Sequence, residues 1–444
     1  MEAMDRTKGE WMSLSRAVVR RRTLVSSAAV LLTNVRAAAT PHRRTPNSAE
    51  RIEGLLLGGL IGDALGGPVE FHSDPGSLKL CQARSWDEQP LTDEQLQELS
   101  STLVLMPYAG IRDGVAPYGP WLKSAPAGTL TDDSRHKIVL LRAVRRLLSR
   151  SDRLSVDQAG GGTRLTKSDI ARQMIDFQAR PSGGDSGQIQ QLNEEGFREY
   201  RLASRWLLGE RDPSLALPVE RLWGGVNNCS GQMMFPPLAA CFPGRPDDAY
   251  KAAWDLDFID APAARDMLAA LIAGLAEILH PRYDRKSPEQ KFAALRQTME
   301  STDPWRQSQI PFAGRQLNKW LQTADRLVEK AQGSPQKLYR LLEDEGKPVY
   351  WWDAHFTLLV PLTIFRLCRL NPLAALHLTL DFGHDTDSYA QVLGCLVGAI
   401  YGASVFPAAM QEAVRGTLQT HYEEDISQWL ITLQDYARRH GETP

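Results

Sequence analysis

Two short stretches carry hard-oxygen chemistry in this chain: Thr131-Asp132-Asp133-Ser134 and Gly383-His384-Asp385-Thr386-Asp387-Ser388. Each offers hydroxyl and carboxylate oxygens immediately before an apolar helical run. Four aspartates brought to one place would repel one another and take up protons unless cations neutralised them. Ligation by carboxylate, hydroxyl and water suits Mg²⁺, Mn²⁺ or Ca²⁺ rather than Zn²⁺, which favours nitrogen and sulfur. Taken singly, either stretch also reads as a helix N-cap, where Thr, Ser and Asp are favoured and an acidic group offsets the helix dipole. The recurrence of the same chemistry at two distant helix starts favours a shared divalent-metal site.

Elements able to bring such segments together are legible as glycine stripes. Gly54, Gly58, Gly62 and Gly66 recur every four residues, and so do Gly394, Gly398 and Gly402. A glycine inside a helix costs roughly 1 kcal/mol relative to alanine, so a stripe of them on one face calls for close backbone approach between packed helices. The two stripes are expected to face each other. Small-residue stripes also mark transmembrane helix pairs. Here Asp63 and Glu70 interrupt the first segment and Asp385 and Asp387 precede the second, so no stable membrane span is expected. Asp63 itself reads as structural, capping or pairing within the bundle.

From Glu50 onward the long periodic segments are helical, and no run of alternating strand-like residues recurs. The spacing predicts helices over His136–Ser149, Ala263–Leu279, Gln316–Ala331, Ala354–Leu370, Ser388–Ser404 and Glu423–Arg439. The chain therefore reads as all-α, a single domain over residues 50–444 with loop insertions near 86–128 and 155–190. Residues 1–39 read as a signal peptide, with Arg20-Arg21-Arg22 ahead of an apolar run and Ala37-Ala38-Ala39 as a cleavage site, and residues 40–49 as a linker. Arg21-Arg22-Thr23-Leu24 resembles a twin-arginine signal, implying a periplasmic or extracellular location; without it the location is cytoplasmic.

A formal net charge of −2 over 444 residues removes any general electrostatic case for nucleic acid or an anionic membrane. Small ligands and a monomer are expected. The five cysteines, Cys81, Cys229, Cys241, Cys368 and Cys395, show no C-x-x-C spacing. Cys368 and Cys395 lie in apolar helical runs and read as core.

Gly54-Leu55-Leu56-Leu57-Gly58-Gly59-Leu60-Ile61-Gly62-Asp63-Ala64-Leu65-Gly66-Gly67-Pro68-Val69-Glu70-Phe71 resembles the opening helix of the ADP-ribosylglycohydrolases, the family of the dinitrogenase reductase-activating glycohydrolase. The Thr131 and Gly383 stretches resemble that family's second and last motifs, in the family's order, so the resemblance spans Arg51 to about Phe406. It implies a compact orthogonal multi-helix bundle with a binuclear Mg²⁺ or Mn²⁺ centre. It further implies Thr131, Asp132, Asp133, Asp385, Asp387 and Ser388 as metal ligands. Glu70 and Asp133 become the catalytic carboxylates, which of them is acid and which base being open. Asn228, Gly231, Gly383 and His384 fall at substrate-binding positions, although His384 reads equally as a residue that shapes the turn. The implied reaction is hydrolysis of an N- or O-glycosidic bond of an ADP-ribosyl group, small-molecule or protein-linked, through an oxocarbenium-like transition state.

The sequence departs from the family at the middle motif, here Asn227-Asn228-Cys229-Ser230-Gly231-Gln232-Met233-Met234-Phe235-Pro236-Pro237. The His-containing segment that commonly follows is replaced by Asp257-Phe258-Ile259-Asp260-Ala261-Pro262. The same metal centre acting on a different extracytoplasmic riboside or sugar conjugate is therefore one alternative, and a catalytically silent ADP-ribose-binding protein is another. Trp223, Tyr350, Trp351 and Trp352 offer rings that can stack on a base, though core packing is the commoner fate of tryptophan.

Overall fold

A computed structural model describes residues 45–71, 88–109, 124–151, 164–177, 200–210, 227–310 and 315–441. The expected signal peptide, half of the linker and much of both insertions, with Cys81 and Trp223, lie outside the described residues.

The first helix, α1 (Ser48–Gly66), starts at a capping box in which Asn47 and Glu50 each accept the other's backbone N–H. Its stripe meets that of the long helix Thr386–Tyr401 in antiparallel register. A Cβ at Gly58 would lie 2.0 Å from the Gly394 carbonyl oxygen, one at Gly54 2.4 Å from that of Gly398, and one at Gly62 2.0 Å from that of Ala390. No side chain fits in that seam, which is the physical reason for the glycines. By length and composition α1 is apolar enough to cross a membrane, but 94% of its apolar window is buried inside the protein. It is the central helix of a core.

Other helices close around this pair: α2 (Asp93–Thr102), α3 (Asp132–Ser151), α4 (Lys167–Asp176), the single turn α5 (Ser230–Met234), α6 (Pro246–Leu256), α7 (Pro262–Leu279), α8 (Pro288–Ser301), α9 (Gln316–Ala331), α10 (Pro335–Gly346), α11 (Ala354–Leu367), α12 (Pro372–Phe382), α13 (Thr386–Tyr401), α14 (Ala408–Thr417) and α15 (Ile426–Gly441). Five of them, α6, α7, α8, α10 and α12, have proline in the first turn, where its missing N–H is no loss. α3 lies against α4, α5 and α15, and α7 against α6 and α8. The architecture is all-α; among the described residues the only paired strands are β1 (Tyr108–Ala109) and β2 (Ser124–Ala125), two residues each.

The spans of the predicted helices hold with shifted ends. α3 begins at Asp132 rather than His136, and α13 at Thr386 rather than Ser388, so Asp132, Asp133 and Asp387 lie in the first turns of their helices, while Thr131 and Asp385 stand just before them. Two segments expected as irregular insertion are partly helical: α2 lies within 86–128 and α4 within 155–190. Each is ten residues long and buries few apolar side chains, so its apolar period is weak. The legible signals were the capping boxes, Thr92 with Gln95 and Thr166 with Asp169.

Candidate metal centre

The seam between α1 and α13 fixes the site. Where the stripe ends, a Cβ on Gly66 would lie 2.4 Å from the Asp387 backbone nitrogen, so only glycine lets the end of α1 reach the first turn of α13. The Thr386 hydroxyl donates to the Gly66 carbonyl at 2.8 Å, and the Phe71 amide donates to the His384 carbonyl at 2.7 Å. These contacts bracket Glu70 and hold it against the Gly383–Ser388 turn. The turn demands unusual backbone: Gly383 has φ +86° and His384 φ +63°, the left-handed region.

From the other side α3 presents its first turn. Asp63, fully buried on α1, accepts the Thr131 amide at 3.2 and 3.1 Å through its two oxygens and also accepts a hydrogen bond from the Thr131 hydroxyl. Asp63 is thus the structural partner that the sequence suggested. With its proton directed at Asp63, the Thr131 hydroxyl keeps a lone pair for a cation. The Asp133 amide donates back to the Thr131 oxygen at 3.3 Å.

The carboxylates converge as two overlapping triads. One oxygen from each of Glu70, Asp385 and Asp387 lie within 4.8 Å of one another, as do oxygens of Asp132, Asp133 and Asp387. Asp387 belongs to both. Ser388 sits between them, its amide donating to Asp387 Oδ1 at 2.9 Å and its hydroxyl to Asp133 Oδ2 at 3.4 Å. Asp133 Oδ1 and Asp385 Oδ2 are buried with no hydrogen-bond partner. Burial first, and then mutual repulsion, pushes Asp133 and Asp387 well above the usual carboxylate range; burial raises Asp385 to about 7. Converging acids with unmet oxygens are the arrangement a divalent cation would neutralise, and their all-oxygen donor set fits a hard ion.

The expected substrate-binding residues divide. Gly383 and His384 adjoin the centre, and His384 is held by its neighbours: its ring stacks on Trp351 at 3.6 Å between centroids, and Nε2 lies 3.1 Å from a Glu343 carboxylate oxygen. Burial holds its pKa below the ordinary value, favouring the neutral ring. The Asn228 side chain accepts the Ser230 amide at 3.0 Å, while its backbone bridges to Asp353. Gly231 is buried, its amide donating to Asp260 Oδ2 at 2.9 Å. Cys229 reaches the centre, its sulfur 3.7 Å from the Ser388 hydroxyl. Burial and the nearby Asp385 and Asp133 push its thiol pKa well up, so it stays protonated. Of the rings, Tyr350 is exposed and stacks on Trp352 at 5.0 Å, and Trp352 meets Phe71 edge-on at 6.0 Å, placing this aromatic surface next to Glu70 in the chain. Sequence reasoning passed over Lys137, buried one helical turn beyond Asp133; the legible signal was Gly59, a glycine out of step with its stripe.

Comparison with known proteins follows the same lines. The family described as ADP-ribosylglycohydrolase matches residues 44–440. A solved structure titled "ADP-ribosylglycohydrolase-related protein complex" resembles the chain at 16% identity and a TM-score of 0.48, covering 88% of this chain and 99% of that one. No curated protein matches. Because the family match runs through every segment that builds the centre, the chain belongs to the ADP-ribosylglycohydrolases, a family of glycosidases.

Proposed function

We propose that the chain hydrolyses the N- or O-glycosidic bond at the anomeric carbon of an ADP-ribosyl group, using two Mg²⁺ or Mn²⁺ ions. The observation that carries this reading is the pair of acidic triads sharing Asp387, built from three segments far apart in the sequence. Thr131, Asp132, Asp133, Asp385, Asp387 and Ser388 hold the ions, with Glu70 at the edge of one triad. When bound, such ions supply the positive charge that orients ribose hydroxyls and makes a water acidic.

The protein's own groups do the rest. Asp63 fixes the Thr131 hydroxyl, and Ser388 ties the two triads together, so donor positions are set before substrate arrives. Asp133 is almost fully buried, whereas Glu70 is half-buried at the rim, which favours Glu70 as the carboxylate that exchanges a proton with substrate or water. The acids surrounding the centre also stabilise positive charge developing at the anomeric carbon.

Replacing Asp385 or Asp132 by asparagine should abolish Mg²⁺-dependent release of ADP-ribose while leaving the far-ultraviolet helical signal intact. Unchanged turnover in either variant would refute the assignment. One observation favours a second reading, in which the same centre serves a different riboside or sugar conjugate: the altered middle motif is closed against Asp257 and Asp260, a Cβ on Gly231 lying 2.8 Å from Asp257 Oδ2. A panel of arginine- and serine-linked ADP-ribosyl peptides, O-acetyl-ADP-ribose and simple ribosides, assayed with both metals, separates the two. Turnover confined to the simple ribosides would select the second.

A further inference from the structure

We propose that Lys137 is a fixed internal counter-ion of the acidic centre: its charge holds the centre together without bound metal and weakens the centre's grip on divalent cations. This rests on the reading of the two triads as a metal site.

The geometry is specific. Lys137 is 2% exposed, and its ammonium donates to the backbone carbonyl of Asp133 at 3.1 Å. Its stem lies over Gly59: a Cβ built there would come within 3.2 Å of Lys137 Cε and 2.7 Å of Cys395 Sγ. Gly59 is not part of the seam, because the nearest α13 backbone atom, the Gln391 carbonyl oxygen, would be 3.9 Å from that Cβ. The seam does not require this glycine; the slot holding Lys137 and Cys395 does. An interior ammonium costs several kcal/mol to desolvate unless opposite charge surrounds it. Here Asp63 lies one turn along α1 from Gly59, and Asp132 and Asp133 about one turn back along α3, so the ammonium is set among acids, and Lys137 acts on each of them against the effect of burial.

A second buried cation, Arg135, also faces Asp132 and Asp63, but its guanidinium is committed to the Leu130 carbonyl at 2.8 Å and the Tyr422 hydroxyl at 3.1 Å. Lys137 has no such anchor to a distant element among its hydrogen bonds; it serves the acids. An ammonium has no lone pair and cannot ligate a metal. Its effects on the two states of the site therefore oppose each other: it offsets carboxylate repulsion when no metal is bound and repels a divalent cation when one enters.

The test follows the melting temperature of the full chain after chelation, against added Mn²⁺ and Mg²⁺, so the readout is binding rather than turnover. Lys137→Met should melt several degrees lower than wild type without metal, and its half-saturating Mn²⁺ concentration should fall by about tenfold or more. Lys137→Arg, which keeps the charge, should follow wild type. The double variant Lys137→Met/Asp63→Asn removes one charge of each sign and should recover metal-free stability relative to Lys137→Met. If Lys137→Met alone does not fold, the double variant should; failure of both, with or without Mn²⁺, overturns the proposal. So does an unchanged or weaker Mn²⁺ response in Lys137→Met, or a Lys137→Arg that behaves like it. A wild-type chain that shows no metal response would instead sink the metal-site reading beneath it.

Discussion

Asp385 and Asp387 at the head of α13, and Asp257 and Asp260 before α7, are all buried acids, and burial pushes Asp385, Asp387 and Asp260 above the usual carboxylate range. Their oxygens have different destinations. Asp257 Oδ1 accepts the amides of Ile259 and Asp260 at 2.9 and 3.1 Å, and Asp260 Oδ2 accepts that of Gly231 at 2.9 Å. The two acids thus bind backbone amides inside and beside one turn and pin α5 to it, although Asp257 Oδ2 and Asp260 Oδ1 are left without a partner among the described residues. The α13 acids instead point, with Glu70, Asp132 and Asp133, at common points reached from three segments. A buried acid raised by desolvation is therefore found both in a structural turn, at Asp260, and in the site; convergence of donors from separate elements is what distinguishes the site.

The sharpest way to break this contrast is to neutralise one acid from each group. Asp387→Asn removes the carboxylate charge common to both triads. It should erase the metal-induced rise in melting temperature and cut turnover by more than the roughly 10–100-fold typical of an outer-shell partner. Asp257→Asn should keep the metal response and change stability by about 1–3 kcal/mol, the scale of a perturbed buried hydrogen bond. Loss of the metal response in Asp257→Asn would merge the two groups into one site.

A smaller effect tests the scaffold behind the first group. In Gly58→Ala the new Cβ meets the Gly394 carbonyl oxygen at 2.0 Å, a backbone atom that cannot step aside without moving α13. The expected cost is at the upper end of the roughly 1–3 kcal/mol of overpacking, and the displacement should weaken metal binding too. Gly416→Ala is the control: nothing lies within 4 Å of its Cβ, so in α14 it should be neutral or stabilising by up to about 1 kcal/mol. Equal effects of the two would mean that the stripe does not set the helix spacing.

Much of this was readable in the residues, and the boundary is physical. The stripes were legible because glycine every fourth residue is unfavourable without a partner, and the two acidic turns because the same hard-oxygen chemistry recurs at two distant helix starts. The facing register followed from that cost. The sealing of Gly231 was not legible, because a glycine followed by small and apolar residues reads the same whether it faces a ligand or a carboxylate. Lys137 was hidden for the opposite reason. A lysine in an amphipathic helix is ordinarily assigned to solvent, and only the slot opened by Gly59 and the acids around it makes burial tolerable.

Titration gives the smallest effect. Unfolded carboxyls titrate near pH 4. In the folded, metal-free chain Asp385 lies at about 7, and Asp133 and Asp387 well above the usual range, because burial penalises the charged form. These groups contribute stability that is complete below the unfolded value and is lost as pH rises through the folded ones. Buried His136, lowered to about 3, and His355, also lowered by burial, oppose this: they lose stability as pH falls below about 6.5. A bare melting curve against pH therefore mixes both. The metal-induced shift does not, because His136 and His355 contribute with and without ions while the site acids must give up their protons to bind them. The rise in melting temperature on saturating Mn²⁺ should grow by a few degrees between pH 5.5 and 8. A shift that is flat over that interval, or shrinks, would mean that the acids of the centre are already ionised without metal, and would place them with solvated surface carboxylates rather than in a closed cation site.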